Sequence, residues 1–234
     1  MNPAARCLLA WYDANRRILP WRENPTVYWV WISEVMLQQT QVDTGLKYFS
    51  KFIDRFPTVS DLADASLDDV LTLWAGLGYY SRARNLHKAA KMVAKAGDFP
   101  RDLKGLRELP GVGEYMAAAI ASIALGHDEA TVDGNIARVM ARLHADPGPR
   151  KGMWAHARSH LPPGRAGDFN QALMDLGSKI CTPMNPQCCN CPWKVNCDSY
   201  SSGDQLKFPY KRKRKPLSCQ VIGVGVVLNS SGEV

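Results

Sequence analysis

The 234-residue sequence lacks long hydrophobic runs, since no stretch reaches the roughly 18 apolar residues that a membrane-spanning helix needs. Its N-terminal segment has too short an apolar run for a secretory signal peptide. Alternating strand patterns are also scarce, and the first one comes at residues 220–228. We therefore expect a cytoplasmic protein without a membrane partner, and the repeats of apolar residues at three and four over residues 1–200 predict an all-α fold there.

The sequence has fewer acidic residues (22) than basic ones (29), and more than half of the resulting formal net charge of +7 lies near the C-terminus. Residues 201–234 contain six basic and two acidic side chains, a net +4, which leaves 7 − 4 = +3 for residues 1–200. The body is therefore only mildly basic, so any nucleic-acid footprint there must come from local arrangement. The basic run Lys211–Lys215 is typical of a solvated linker. We predict a catalytic domain over 1–200, a basic linker over 201–216 and the beginning of a further, β-containing domain over 217–234.

Four of the seven cysteines share one segment that is rich in proline and asparagine. Cys181, Cys188, Cys191 and Cys197 follow the spacing C-x6-C-x2-C-x5-C, and the helix-breaking residues between them predict a loop over 181–197. Disulfide bonds are rare in the cytosol, so the cysteines indicate a metal site. Zinc sites usually contain two close pairs, whereas one C-x2-C pair with wider gaps favours an iron–sulfur cluster.

The stretch LPGVG at Leu109–Gly113 lies between two helical patterns and is typical of a helix-hairpin-helix turn. Gly111 and Gly113 permit a tight backbone, and the N–H groups that begin the next helix can bind a phosphate without reading base sequence. A plain connection between two helices would contain the same glycines, so the turn alone leaves both interpretations open.

Two carboxylates have surroundings that should move their pKa values in opposite directions. Glu34 lies in the apolar stretch WVWISEVML, and burial there would raise its pKa. Asp133 precedes the helical pattern GNIARVMARL, and the charge of a helix-capping carboxylate is stabilised by backbone N–H groups and the helix dipole. Taken alone, Asp133 has a simpler interpretation as an ordinary cap, and Glu34 as a partly exposed polar residue. Together they supply the acid and the anion that cleavage of a glycosidic bond needs.

Seven sequence blocks resemble, in order, those of the helix-hairpin-helix DNA glycosylases, and most closely the MutY-type adenine DNA glycosylases. They are PWR at Pro20–Arg22, WISEVMLQQTQV, GLGYYSRARNLHKAA, LPGVGEY, VDGNIARV, FNQALMDLG and the cysteine loop. The resemblance covers residues 1–200 and implies two helical subdomains, an active site in the cleft between them and a 4Fe-4S cluster in the cysteine loop. It also implies a monomeric, DNA-associated enzyme of base excision repair that removes adenine mispaired with 8-oxoguanine or guanine in double-stranded DNA.

The resemblance also assigns roles to single residues. Glu34 matches the acid that protonates adenine, and Asp133 matches the carboxylate that stabilises the sugar cation. Tyr115 and Asn135 match residues that hold this aspartate and the reacting groups in place. Arg22 and Gln171 match residues that surround the adenine after it has been turned out of the duplex. The residues that match those filling the gap left by this adenine, or contacting the base opposite it, are Gln39, Thr40, Leu77 and Tyr79.

The hairpin and the Asp133 segment contain no lysine, because none occurs between Lys104 and Lys151. In relatives that also cut the DNA strand, a lysine at the position of Tyr115 attacks the sugar as a Schiff-base nucleophile. Tyrosine keeps a hydrogen-bonding group without that nucleophile, so the resemblance implies a monofunctional enzyme.

Three alternatives stay open: a thymine-mismatch glycosylase, a strand-cleaving glycosylase for oxidised pyrimidines and a non-catalytic DNA-binding module. The absent lysine disfavours the second, and the pair of Glu34 and Asp133 disfavours the third, because a pure binder needs neither. In the resembled family a separate C-terminal domain helps to recognise 8-oxoguanine. Residues 217–234 would be only its beginning, so we expect a small preference for 8-oxoguanine over guanine.

Overall fold

The computed structural model describes residues 2–209, apart from the side chain of Arg150, and helices are the only regular secondary structure in this part of the chain. The predicted strand within 217–234 and the basic run of the predicted linker lie outside the described residues. Between residues 2 and 209, no helix is both long and apolar enough to cross a membrane. The α-helices are α1 (Pro3–Asn15), α2 (Pro20–Glu23), α3 (Val27–Leu37), α4 (Val42–Arg55), α5 (Val59–Asp64), α6 (Leu67–Trp74), α7 (Ser81–Ala96), α8 (Leu103–Glu108), α9 (Glu114–Ala124), α10 (Gly134–Leu143), α11 (Met153–His160), α12 (Ala166–Lys179) and α13 (Asp198–Ser201).

Local sequence signals define where many of these helices begin. The side chain of Thr58 accepts a hydrogen bond from the backbone N–H of Asp61, whose carboxylate accepts one from the backbone N–H of Thr58, which completes a capping box at α5. Ser66 caps α6 by accepting from the N–H of Asp69. Prolines occupy the first turns of α1 and α2, where no intrahelical N–H donor is needed.

Two separate hydrophobic cores divide the helices into two lobes. The first lobe comprises α2 to α9, and Trp31, Trp74 and Phe52 are among its fully buried side chains. The second lobe comprises α1, α10, α11, α12 and the cysteine segment, around Phe169 and Trp193. Full burial of such a side chain stabilises the fold by about 1.5–3 kcal/mol. The predicted arrangement of two helical subdomains is thus confirmed.

The chain passes between the lobes twice, at residues 16–19 and again at 125–133. The second crossing is held by the buried side chain of Asn170 on α12. Its Nδ2 donates to Ser122 Oγ at 2.9 Å and to the carbonyl of Glu129 at 2.8 Å. Its Oδ1 accepts from the backbone N–H of Thr131 at 3.2 Å. These bonds tie the end of α9 and the returning segment to α12, so the two lobes face each other in a fixed relation.

Candidate active site

A cavity of about 710 Å³ lies between the lobes and is lined by residues from both. Its volume lies within the range of about 300–1,000 Å³ that is common for small-molecule sites. Eight of the residues predicted for the site line this cavity, namely Arg22, Glu34, Gln39, Thr40, Tyr115, Asp133, Asn135 and Gln171. Sequence blocks far apart in the chain therefore meet in one cleft.

Glu34 is buried in the wall that α3 contributes to this cavity. The hydroxyl of Tyr115 donates a hydrogen bond of 2.6 Å to its Oε2. The pKa of Glu34 is raised to about 7, and burial is the largest cause of this rise. The negative charge of Asp133 also raises the pKa, whereas the hydrogen bond from Tyr115 and the positive charge of Arg22 lower it. The raised pKa predicted from the apolar helix is confirmed, and the carboxyl exchanges its proton near neutral pH.

Asp133 is the N-cap of α10, as its position before the helical pattern predicts. Its Oδ1 accepts from the backbone N–H of Ile136 at 2.6 Å, and its Oδ2 accepts from Asn135 Nδ2 at 3.1 Å. Both carboxylate oxygens are therefore held by donors on the first turn of α10. This fixes the orientation of the carboxylate at the cavity and stabilises its charge.

Arg138 connects Asn135 to the cysteine segment, a role that no local sequence pattern indicates. Its Nη2 donates to Asn135 Oδ1 at 2.9 Å and to the carbonyl of Gly177 at 2.7 Å, and its Nε donates to the carbonyl of Cys181 at 2.8 Å. Helices α10 and α12 meet closely here, because a Cβ atom on Gly177 would lie 2.7 Å from the Cβ of Asn135. Glycine at this point is thus a condition for the geometry around Asp133.

Arg22 is held in the lining of the cavity by a further carboxylate, that of Asp175 on α12, which sequence reasoning also missed. Arg22 Nη1 and Nη2 donate to the two oxygens of Asp175 at 2.8 and 3.1 Å, and Arg17 Nη2 adds a bond of 2.6 Å. Asp175 is fully buried; burial alone would raise its pKa, but the hydrogen bonds and charges of the two arginines hold the pKa below its ordinary value. The guanidinium of Arg22 also lies 5.5 Å from the ring centroid of Tyr12.

The residues predicted to contact the duplex lie in two loops of the first lobe. Gln39 and Thr40 follow α3 and line the cavity, whereas Leu77 and Tyr79 belong to the loop between α6 and α7 and are outside its lining. Tyr79 is 61% exposed, but Leu77 is only 8% exposed and packs into the first core.

The predicted hairpin is present as α8, a turn and α9. Gly111 has a φ of 83°, a left-handed conformation that favours glycine, and a Cβ there would lie 3.0 Å from the Cβ of Asn85. Gly113 is the N-cap of α9 and has open space around its Cα. The start of α9 is therefore accessible beside the turn.

The four predicted cysteine ligands line a second, smaller cavity together with Arg142. Arg142 Nη1 donates to Cys181 Sγ at 3.4 Å, and Cys197 Sγ donates to the carbonyl of Arg142 at the same distance. Cys189 is exposed and is outside the lining. Among the described residues, no three His, Cys, Asp or Glu side chains converge closely enough to bind a single metal ion. The four thiols thus share the lining of one small cavity.

Comparisons with known proteins show the family to which this chain belongs. The profile of the HhH-GPD superfamily base excision DNA repair proteins matches residues 32–163. The adenine DNA glycosylase of Homo sapiens is 47% identical over 207 residues, which are 81% of this chain and 38% of that protein. The adenine DNA glycosylase of Buchnera aphidicola subsp. Schizaphis graminum is 40% identical over 220 residues, 90% of this chain and 63% of that protein. The chain thus spans less than two thirds of the length of either relative.

Solved structures show the same fold. A thermostable thymine-DNA glycosylase superimposes with a TM-score of 0.77 at 30% identity, covering 85% of this chain and 95% of that one. A non-covalent endonuclease III–DNA complex gives a TM-score of 0.73 at 22% identity, covering 85% of this chain and 94% of that one. At 22% identity, the comparison with the endonuclease III complex shows a shared fold and nothing about function.

Proposed function

This chain belongs to the HhH-GPD superfamily of base excision DNA repair proteins, and from that premise we propose that it is a monofunctional adenine DNA glycosylase. It would act as a monomer on double-stranded DNA and hydrolyse the N-glycosidic bond of adenine mispaired with 8-oxoguanine or guanine. The observation that carries the proposal is the cleft in which buried Glu34 and capped Asp133 face one cavity. The similarity to adenine DNA glycosylases at 40–47% identity supports adenine as the base.

Glu34 would be the general acid. With a pKa of about 7, a large share of its carboxyl groups carry a proton at neutral pH. Since Tyr115 occupies Oε2, Oε1 is the oxygen that can present this proton to a ring nitrogen of adenine. Adenine then leaves with the electron pair of the broken C1′–N bond, and the proton makes it a neutral leaving group.

Asp133 would stabilise the positive charge that develops on the sugar as this bond breaks. Its carboxylate is already oriented by Ile136 and Asn135, so little rearrangement is needed at the moment of reaction. A fixed anion beside an oxocarbenium-like sugar is the arrangement that glycosidic cleavage uses. Water then adds to C1′ and leaves an abasic site. Tyr115 has no amine for a Schiff base, which supports hydrolysis without strand cleavage.

The enzyme must take adenine out of the base stack before it can react. Arg22 and Gln171 would contact the extruded base, since both are buried side chains in the lining of the cavity. Gln39, Thr40, Leu77 and Tyr79 would fill the duplex gap or contact the opposite base. Exposed Tyr79 can insert directly, whereas Leu77 would first have to leave the first core. Gly111 and Gly113 would bring the backbone of the hairpin close to a phosphate.

Cys181, Cys188, Cys191 and Cys197 would hold a 4Fe-4S cluster. The residues fit this group, because the four thiols line one cavity and cysteine thiolates are the usual ligands of such clusters. When bound, the cluster would supply a cross-link within the cysteine loop, and the bonds that Arg138 and Arg142 donate to carbonyls of this loop would attach it to α10.

Excision assays on defined duplexes test the proposal. Free adenine should be released when it stands opposite 8-oxoguanine or guanine, and thymine opposite guanine or an oxidised pyrimidine opposite adenine should remain. The 30% identity to a thymine-DNA glycosylase makes thymine release the second candidate. Release of thymine in place of adenine would favour that candidate, and tight binding without release of any base would favour a DNA-binding module.

A further inference from the structure

Arg82, in the first turn of α7, joins the backbones of two loops that are about forty residues apart in sequence. We call residues 38–41 the α3 loop and residues 75–80 the α6 loop. The Arg82 guanidinium donates to five backbone carbonyl oxygens, those of Val35 (2.9 Å), Met36 (3.1 Å), Gln38 (2.6 Å), Leu77 (3.2 Å) and Gly78 (3.3 Å). Three of the five acceptors, Gln38, Leu77 and Gly78, belong to the two loops, and the other two lie in the last turn of α3, so one side chain contacts both loops.

Two of these carbonyls belong to the peptide groups that lead directly into Gln39 and Tyr79. Both residues have left-handed backbone, with φ of 59° at Gln39 and 48° at Tyr79. Residues other than glycine rarely adopt this conformation, and it persists only where the surroundings impose it. By bonding the preceding carbonyls of Gln38 and Gly78, Arg82 contributes to that constraint at both places, and at Gly78 it does so together with Trp74 Nε1, which donates to the same carbonyl at 3.1 Å.

The faces of the Arg82 guanidinium contact aromatic rings as well. Its Cζ lies 5.4 Å from the ring centroid of Trp74 and 5.5 Å from that of Tyr79. Trp74 is completely buried in the first core, whereas Tyr79 is 61% exposed. Arg82 thus links an exposed aromatic side chain to a rigid part of the lobe.

We propose that Arg82 is a positioning residue that presents Gln39 and Tyr79 together to duplex DNA, so that extrusion of the target base depends on it. This inference rests on the proposed function, because it needs a base that leaves the stack. A side chain that enters a base stack must be preorganised, since otherwise the binding energy is spent on ordering the loop. The planar guanidinium can bond several carbonyls in one plane, which an ammonium group cannot do.

The test compares Arg82→Gln and Arg82→Lys with Arg101→Gln, which removes an equally charged, exposed side chain from a surface ion pair with Asp98. Single-turnover excision is measured on adenine opposite guanine in a full duplex and on adenine in an unpaired bubble. Because extrusion from a duplex costs a few kcal/mol, Arg82→Gln should slow excision from the duplex by about tenfold to a hundredfold. Excision from the bubble should change by less than about threefold, Arg82→Lys should be intermediate, and Arg101→Gln should match the wild type within about twofold.

A second measurement does not require catalysis. 2-Aminopurine placed beside the target adenine reports unstacking by its fluorescence, and Arg82→Gln should reduce this signal at saturating protein. Equal losses on duplex and bubble, or an unchanged fluorescence signal, would overturn the inference and leave Arg82 as a general stabilising residue. A wild-type protein that excises no adenine from either substrate would instead refute the proposed function, and the fluorescence comparison would still decide the role of Arg82.

Discussion

The hydroxyl of Tyr115 donates a 2.6 Å hydrogen bond to Oε2 of Glu34, across the wall of the cavity between the two lobes. This bond stabilises the charged form of a carboxyl group whose burial favours the neutral form. The acidity of Glu34 is therefore set by opposing contributions from α3 and α9. Changing either one should move the pH range in which the protein works.

Excision of adenine should slow as the pH rises through about 7, because only protonated Glu34 can donate a proton and its pKa is about 7. Tyr115→Phe removes a hydrogen bond that lowers this pKa. The alkaline limb of the pH–rate profile, where the excision rate falls, should therefore move to higher pH. Tyr200→Phe, at a partly exposed tyrosine of α13, is the control and should leave the limb in place. Single-turnover rates between about pH 5 and 9 measure the limb. An unchanged limb in Tyr115→Phe would show that the hydroxyl does not tune the acid.

Glu34 should also lower the free energy of unfolding as the pH rises. Its pKa in the folded protein is about 7, against an ordinary value of 4.5, so the folded state holds this proton more tightly than the unfolded state does. The resulting stabilisation is fully present below pH 4.5 and is lost by about pH 7, and it amounts to about 3 kcal/mol. Glu34→Gln stays neutral, so its stability should fall less over this window in urea unfolding. The control is Glu108→Gln, at an exposed glutamate. If this variant reduced the pH dependence of the unfolding free energy as much as Glu34→Gln does, the burial of Glu34 would not be its cause.

Borohydride should trap no covalent complex between this protein and DNA during adenine excision. Tyr115 carries no amine, and no lysine lies between Lys104 and Lys151. The abasic product should stay uncut until hot alkali is added, whereas Tyr115→Lys should gain weak strand cleavage. Gel analysis of the DNA before and after alkali measures both. Efficient nicking by the unmodified protein would contradict hydrolysis without a lyase step.

The purified protein should be brown and contain iron. Cys191→Ser should bleach it and lower its thermal stability, because one of the four groups that surround the second cavity is lost. Cys189→Ser is the matched control, since this exposed neighbour is outside the cavity, and it should keep both colour and iron. Elemental analysis that finds one zinc and no iron would refute the cluster.

The sequence predicted the parts of the site that depend on neighbouring residues. The burial of Glu34 follows from the apolar residues around it on α3, and the orientation of Asp133 follows from its place before α10. The cap of α6 is equally local, since Ser66 accepts from the N–H of Asp69 three residues further on. Helix caps and hydrophobic periodicity are short-range properties, and short-range properties can be read from one sequence.

The contacts that the supporting arginines make were not predicted, because these contacts are either distant in sequence or made to backbone. Asp175 lies 153 residues from Arg22, and no local pattern indicates that the two will meet. Arg82 and Arg138 bond mainly to carbonyl oxygens, which every residue possesses and which therefore leave no mark in the sequence. Such contacts become visible only when the helices have been placed in space.

The central claim is that Asp133 stabilises a sugar cation during removal of adenine, and single-turnover excision by Asp133→Asn tests it most directly. Asparagine can still cap α10 through its side-chain oxygen, so the fold and the affinity for a duplex with adenine opposite 8-oxoguanine should be kept. The excision rate should fall by about a hundredfold or more, because only the charge at the transition state is lost. Asp54→Asn, at an exposed residue of α4, should excise at the wild-type rate. Adenine release by Asp133→Asn at the wild-type rate would contradict the account.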